Sequence, residues 1–379
     1  MDKNKALYIW YKYVGAIFRL LPVKKGRIVA ENFFGKGYGD NPKYIYDELL
    51  INPELELVWL IKKNTDTEFP VGVNVVKRGT LKELYYLATA QVWIDNSRKH
   101  YGIRKRKGQM YIQTWHGGIA LKKIEKDVEN SLPLTYIKAA KHDSDMIDIL
   151  LSGSEYFTEI FRHCFWYKGE IYNSGLPRTD IFFKNPAEHI RNVYQYYNLS
   201  NSTKLVLYAP TFRDGGDLSA YDMDYNLLLN YLTEFWQGEW KLIIRLHPNI
   251  SKSKNLIKFS SSIIDGTDYP DINHLILASD LLITDYSSCM FDAVYAQKRV
   301  IIYASDQQKY FSTRGTYFNY SDLPFPVAEN MNELGEKIRA YKDLDMQKEY
   351  KQFLEKICSV EDGNASKKVA KRVIDYVRS

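Results

Sequence analysis

His116 stands in the run Gln113-Thr-Trp-His-Gly-Gly118. A histidine can take a proton near neutrality, because its unperturbed pKa is about 6.5. Gly117 and Gly118 open backbone angles closed to other residues and leave room for a ligand. On this stretch alone, a surface histidine in a glycine turn fits equally well. Further along come Thr211 and Arg213 in Tyr208-Ala-Pro-Thr-Phe-Arg213, Arg245 and His247 in Arg245-Leu-His-Pro248, and Asp285, Ser287 and Ser288 in Ile283-Thr-Asp-Tyr-Ser-Ser288. Guanidinium groups offer forked donors to phosphate oxygens, and serines ahead of a helix add hydroxyls and N–H groups. A neutral base together with such donors suits attack of a hydroxyl on a phosphorus atom with charge building on a leaving phosphate. Each motif alone would also fit ordinary capping or surface charge.

Chemistry of this kind needs strands that end together. Residues 27–34, 55–61, 73–77, 91–94 and 108–113 read as strands alternating with helices at 43–50 and 81–90. Ile119, Leu121, Ile124 and Val128 recur at helical spacing, which puts His116 at a strand-to-helix turn. Strands at 149–154 and 171–174 follow. A second alternation starts at Lys204, with strands at 204–209, 240–246, 262–265, 280–284 and 300–303. Alternation predicts parallel α/β sheets with ligands at the carboxyl ends of the strands. Three successive strands then deliver Thr211/Arg213, Arg245/His247 and Asp285 to Ser288 to one edge. The expected divisions are an amphipathic helix at 1–26, a Rossmann-like domain at 27–184, a linker at 185–203, and a second Rossmann-like domain at 204–379.

The 379 residues suffice for two cores. A net charge of +6 and 31 tyrosines point to rings, phosphates or anionic lipid. No nucleic-acid partner is expected, because no recognition motif accompanies the charge. Cys164, Cys289 and Cys358 are widely spaced and read as free thiols in a reducing compartment. No stretch approaches the roughly 20 apolar residues of a membrane span. Residues 6–22 instead interleave Trp10, Ile17, Phe18 and Leu21 with Lys12 and Arg19, followed by Lys24, Lys25 and Arg27. That helix either lies on an anionic membrane surface or packs on its own domain. Residues 98–107 carry six basic side chains, which fit either anionic head groups or a solvated loop. Asp143/Asp145 and Asp222/Asp224 mimic a metal pair, a spacing common by chance, so no metal is expected.

Taken in order, Gly35-Lys-Gly-Tyr-Gly-Asp-Asn-Pro42, Thr114-Trp-His-Gly-Gly118, Gly175-Leu-Pro-Arg-Thr-Asp180, Tyr208 to Arg213, Arg245 to Pro248, and Ile283 to Ser288 with Phe291-Asp292 resemble the CDP-glycerol glycerophosphotransferase family of teichoic acid synthesis. The resemblance runs from about residue 28 to about residue 310. It implies an α/β, GT-B-like fold in which two Rossmann-like domains face a cleft and the C-terminal domain holds the donor. His116 and His247 would be catalytic; Thr211, Arg213, Arg245, Asp285, Ser287 and Ser288 would bind donor phosphates. Gly37, Asn41, Trp115 and Gly117 would face the acceptor. Gly118 and Ala120 depart from the Thr and Pro that relatives often carry, a change that bears on acceptor preference. The implied reaction moves glycerol phosphate from CDP-glycerol to a lipid-linked saccharide acceptor at the cytoplasmic membrane face, with no cofactor and no metal. Because longer polymerases of the family often carry extra N-terminal domains, a priming or short-extension enzyme is expected. CDP-ribitol as donor, polymerase activity and nucleotide-sugar transfer remain open alternatives.

Overall fold

The computed structural model describes residues 3–63, 65, 67–211, 213, 217–246, 257–307 and 315–379. The chain forms two compact units, one comprising Met1–Gly118, Ile124–Asp180 and Ile357–Ser379, the other Ile119–Lys123 and Ile181–Lys356. His247 lies outside the described residues.

Unit 1 opens with helix α1 (Lys3–Ile9), a π-helical turn (Trp10–Val14) and α2 (Gly15–Phe18). Strand β1 (Lys24–Glu31) leads through a glycine-rich loop to α3 (Asp40–Leu49). Next come β2 (Glu56–Ile61), β3 (Val73–Lys77), α4 (Leu81–Thr89), β4 (Ala90–Asp95) and β5 (Met110–Gln113). Thr80 starts α4 by accepting the Glu83 N–H, a side-chain cap. Helix α5 (Leu134–Ser144), β6 (Ile149–Ser152), α6 (Glu155–Cys164) and β7 (Glu170–Asn173) complete the run. Among the described residues these strands form one parallel seven-stranded sheet in the order β3-β2-β1-β4-β5-β6-β7. Strand order reverses between β1 and β4, where open α/β sheets leave a crevice for ligands.

Unit 2 contains α7 (Ala187–Tyr196), β8 (Lys204–Tyr208), α8 (Tyr225–Trp236), β9 (Trp240–Ile244), β10 (Ile263–Asp265), α9 (Ile272–Ala278) and β11 (Leu281–Thr284). It continues with α10 (Cys289–Tyr295), β12 (Arg299–Tyr303), β13 (Val327–Ala328), α11 (Met331–Ala340) and α12 (Met346–Lys356). The described strands make a parallel sheet in the order β10-β9-β8-β11-β12-β13, so the three strands expected to share an edge are neighbours.

The expected boundaries differ from these units in three places. Residues 185–203 contain α7, which packs on α9 inside unit 2, so they are not a free linker. The final helix, α13 (Ala365–Arg378), belongs to unit 1. Its Val369, Val373 and Val377 share one core with Ile28, Ile45 and Trp59, and burial of each valine contributes roughly 1.5–3 kcal/mol. The helix expected over 119–128 does not form. The backbone there pairs antiparallel with another segment of unit 2, Lys123 N–H donating to the Gly315 carbonyl (2.8 Å) and Tyr317 N–H to that of Leu121 (2.8 Å). Pairing uses the groups that a helix would need, and Glu125–Ser131 is a 3₁₀ helix.

Of the two alternatives for the N-terminal helices, packing on their own unit is seen, and it covers only part of the apolar set. Tyr11 is buried and donates to Glu83 Oε1 (3.0 Å), while Tyr8 stacks on Tyr101. Trp10 and Phe18, expected to face lipid, are half-buried. Ile9, Tyr13, Ile17, Leu20 and Leu21 are exposed, Leu20 at 87%. Among the described residues, no helix is long and apolar enough to cross a membrane.

Candidate active site

At the end of β5 the chain turns through Trp115, whose φ of +53° is unusual for a bulky residue. Gln113 holds the turn by accepting the Trp115 N–H through Oε1 (2.9 Å), and Thr114 N–H bonds the Asp95 carbonyl (2.8 Å). His116 thereby lies beside the tip of β4, with Nδ1 2.8 Å from the Asn96 carbonyl oxygen. A carbonyl can only accept, so Nδ1 carries the hydrogen and Nε2 keeps its lone pair. The half-buried ring lies between Trp115 (centroids 4.1 Å apart) and Phe33 (5.3 Å). Burial lowers its pKa below the ordinary histidine value, the Asn96 hydrogen bond and Asp40 oppose that shift, and Arg178 adds to it. The result is a neutral imidazole with a fixed tautomer near pH 7, the state a general base requires.

Behind His116, the loop after β7 supports the turn. Arg178 Nη1 reaches the His116 carbonyl (3.3 Å) and Asp40 (3.4 Å), and its backbone N–H bonds Asn41 Oδ1 (3.0 Å). The Asn41 amide donates to the Trp115 carbonyl (3.0 Å). Asn41 is thus a fully buried clamp and not a surface that an acceptor could touch. Trp115 is buried too, a wall for His116 with Arg98 over its ring. Gly37 serves the backbone: φ is +113°, its carbonyl accepts from Trp59 Nε1, and a Cβ would meet Thr67 Oγ1 at 2.9 Å. Of the four expected acceptor-side residues, Gly117 alone is partly exposed beside His116. Gly118 is fitted against Leu176, whose Cδ1 would be 2.6 Å from an added Cβ. The Asp180 carboxylate accepts the Ala365 (3.0 Å) and Ser366 (2.8 Å) N–H groups at the start of α13. The Gly175 to Asp180 motif is legible in the sequence, whereas its support of His116 through Arg178 arises only on folding.

The first two residues of the basic run at 98–107 turn inward, while Lys107 is exposed. Arg98 pairs with Glu125 (2.7 Å) and Asp143 (3.2 Å), and Lys99 with Asp95 (2.7 Å) and Glu31 (3.5 Å), all of them buried. Burial opposes the Lys99 charge, yet Asp95 and Glu31 outweigh it and raise its pKa. One acid of each Asp-x-Asp pair has another partner: Asp143 pairs with Arg98, and Asp224 caps α8 by accepting the Leu227 N–H.

In unit 2 the strand tips converge as expected. Arg245 N–H bonds the Tyr208 carbonyl (2.9 Å), Ala209 N–H that of Ile283 (3.0 Å), and Thr211 N–H reaches Asp285 Oδ1 (2.7 Å). Asp285 is buried; burial raises its pKa and Arg213 opposes the rise. The Arg213 guanidinium is held by Asp306 (2.7 and 3.0 Å), by Asp285 (2.9 Å) and by the Thr211 carbonyl (2.6 Å). Two carboxylates therefore already match the fork that was expected to meet phosphate. Arg245 donates through Nη1 to the carbonyls of Gly266 (3.0 Å) and Tyr269 (2.7 Å). Burial lowers its pKa, with Asp271 foremost among the groups that offset it. Ser287 and Ser288 are partly exposed ahead of α10, and Ser288 does not cap that helix with its side chain.

Two parallel Rossmann-like sheets with functional loops at the strand carboxyl ends define a GT-B-like protein. The chain belongs to the CDP-Glycerol:Poly(glycerophosphate) glycerophosphotransferase family, whose model matches residues 14–375. It is 33% identical to a teichoic acid poly(glycerol phosphate) polymerase of Bacillus spizizenii, covering 96% of each chain. It is also 33% identical to a teichoic acid glycerol-phosphate transferase of Staphylococcus aureus, covering 98% of this chain and all of that one. A histidine-to-asparagine variant of the wall teichoic acid polymerase TagF, solved after a soak with CDPG, superposes with a TM-score of 0.85 at 30% identity, covering 99% of this chain and 93% of that one. The family and fold inferred from the motifs are borne out.

Proposed function

We propose that this chain transfers glycerol phosphate from CDP-glycerol to a hydroxyl of a lipid-linked teichoic acid acceptor, releasing CMP. The observation that carries the reading is the fixed tautomer of His116. Nε2 takes the proton of the attacking hydroxyl, the hydroxyl oxygen bonds to the phosphorus that bears glycerol, and the bond from that phosphorus to CMP breaks. Arg245, Ser287 and Ser288 bind donor phosphates, while Arg213, Asp285 and Thr211 hold the β8 and β11 tips in register. His247, on the segment outside the described residues, remains assigned to leaving-group charge. One acid of each Asp-x-Asp pair is committed elsewhere, Asp143 to Arg98 and Asp224 to the α8 cap, and turnover is expected to persist in chelator.

Both relatives described above handle glycerol phosphate, which favours CDP-glycerol over CDP-ribitol as donor. A polymerase is matched over nearly its whole length, so chain length does not favour priming over polymerisation. The test is turnover of CDP-glycerol and CDP-ribitol on a disaccharide-lipid acceptor with and without its first glycerol phosphate, with product length read by mass spectrometry. CMP release from CDP-glycerol is expected; preference for CDP-ribitol or for nucleotide sugars would overturn the reading.

We propose also that the protein sits peripherally on the cytoplasmic membrane face. Support comes from the exposed stripe Ile9, Tyr13, Ile17, Leu20 and Leu21, with Lys5 and Lys12 on the same helices.

A further inference from the structure

We infer that Asn96 is the positioning residue for His116, holding the imidazole from two sides. The inference rests on His116 acting as the base only for its effect on rate, not for its structural content. Asn96 is completely buried at the tip of β4, at the point where strand order reverses. On one side, its carbonyl accepts His116 Nδ1–H at 2.8 Å. On the other, its side-chain Oδ1 accepts the Phe33 N–H at 2.8 Å, and the Phe33 ring lies 5.3 Å from that of His116. The amide orientation follows from its partners: the Phe33 N–H can only donate, so it must face oxygen, and Nδ2 then donates to Asn32 Oδ1 at 2.8 Å.

Phe33 and Phe34 both have positive φ, +41° and +59°, a conformation that bulky side chains rarely adopt. Strain of this kind persists only where the surroundings over-determine it. The Asn96 amide fixes the first of the two residues, and with it the ring that shields His116. An acceptor for Phe33 and a donor for Asn32 are needed from one planar group of this length. Aspartate lacks the donor, and an aliphatic residue lacks both.

Asn96→Asp keeps the acceptor, loses the donor and adds negative charge near the imidazole, which favours its protonated form. Phe33→Ala leaves the buried network in place and opens the ring to water, which lifts the desolvation that lowers the His116 pKa. Both variants are therefore expected to raise it.

The experiment is a nitrogen-15 NMR titration of histidine-labelled full-length protein, wild type and both variants, alongside pH profiles of kcat/KM. Expected results are the Nδ1–H tautomer in wild type, an upward shift of the His116 pKa of about half a unit or more in each folded variant, and kcat lowered about tenfold with donor affinity kept. If Asn96→Asp does not fold, Asn96→Ala, which removes the Phe33 and Asn32 contacts without adding charge, is measured in its place, with the same upward shift expected. An unmoved His116 pKa in the folded variants overturns the inference, however far kcat falls, because a purely structural residue would lower activity without touching the titration. If the NMR pKa shifts and the kcat/KM limb stays behind, the positioning stands and the base assignment fails.

Discussion

Replacing His116 by asparagine separates its hydrogen bond from its basicity. The asparagine amide can donate to the Asn96 carbonyl as Nδ1–H does now across 2.8 Å, so the turn after β5 keeps its anchor while the lone pair of Nε2 disappears. Burial holds the His116 pKa below its ordinary value of 6.5, so above pH 7.5 more than about nine-tenths of the wild-type population is already neutral. Protonation then hides little of the loss. General base catalysis is worth about 10²- to 10⁴-fold, or about 2.7 to 5.4 kcal/mol at about 1.36 kcal/mol per tenfold. CMP release at saturating donor and acceptor should fall by at least 10²-fold, with donor affinity by calorimetry unchanged. Because the neutral form is the active one, wild-type kcat/KM should rise with pH through a limb below 6.5 and be level from about pH 7.5 upward. Turnover of His116→Asn within threefold of wild type, or an acid limb centred above pH 7, would refute the assignment.

Gly118→Ala places a methyl group 2.6 Å from Leu176 Cδ1, and overpacking of this kind should cost about 1–3 kcal/mol in chemical denaturation. Adding Leu176→Val should recover at least half of that loss; no recovery would mean that Gly118 matters for another reason. At the N-terminus, sedimentation with anionic vesicles should be strong at low salt and weak at high salt, where charge is screened. The triple change Ile9→Ser, Ile17→Ser, Leu20→Ser should abolish it while sparing turnover of a soluble acceptor, and full sedimentation of that variant would remove the stripe from any membrane role.

Strand tips were the most legible feature of the sequence, because apolar runs ending in polar residues mark them directly. β3 was read to the residue, and the tips carrying Thr211, Arg245 and Asp285 proved to be neighbours. What the sequence hid was pairing over distance. Arg213 read as a phosphate ligand because Asp306, which takes its fork, lies 93 positions away. Arg98 and Lys99 read as a basic loop because Asp143 and Glu125 approach them only after folding. Periodicity failed at 119–128, where apolar residues at helical spacing follow two glycines and the backbone pairs with 315–317. It succeeded in part at the N-terminus, where the helices form and pack on their own unit while Ile17 and Leu21 stay exposed. Tyr11, an inward polar-tipped ring, binds a carboxylate 72 positions on.

The return of α13 to unit 1 carries a consequence for biosynthesis. Val369, Val373 and Val377 complete the core that begins with Ile28, and Asp180 waits for the amide groups of Ala365 and Ser366. On the ribosome, unit 2 can gather its sheet as soon as the residues through 356 have emerged, whereas the earlier-made segment that carries His116 stays without its last helix until nearly the whole chain is synthesised. The half translated first is thus the half finished last. A premature stop between Lys356 and Val369 would leave the sheet of unit 2 intact and uncover the apolar residues of unit 1 around Ile28, Ile45 and Trp59, which makes such truncations substrates for chaperones and proteases and not merely weaker enzymes.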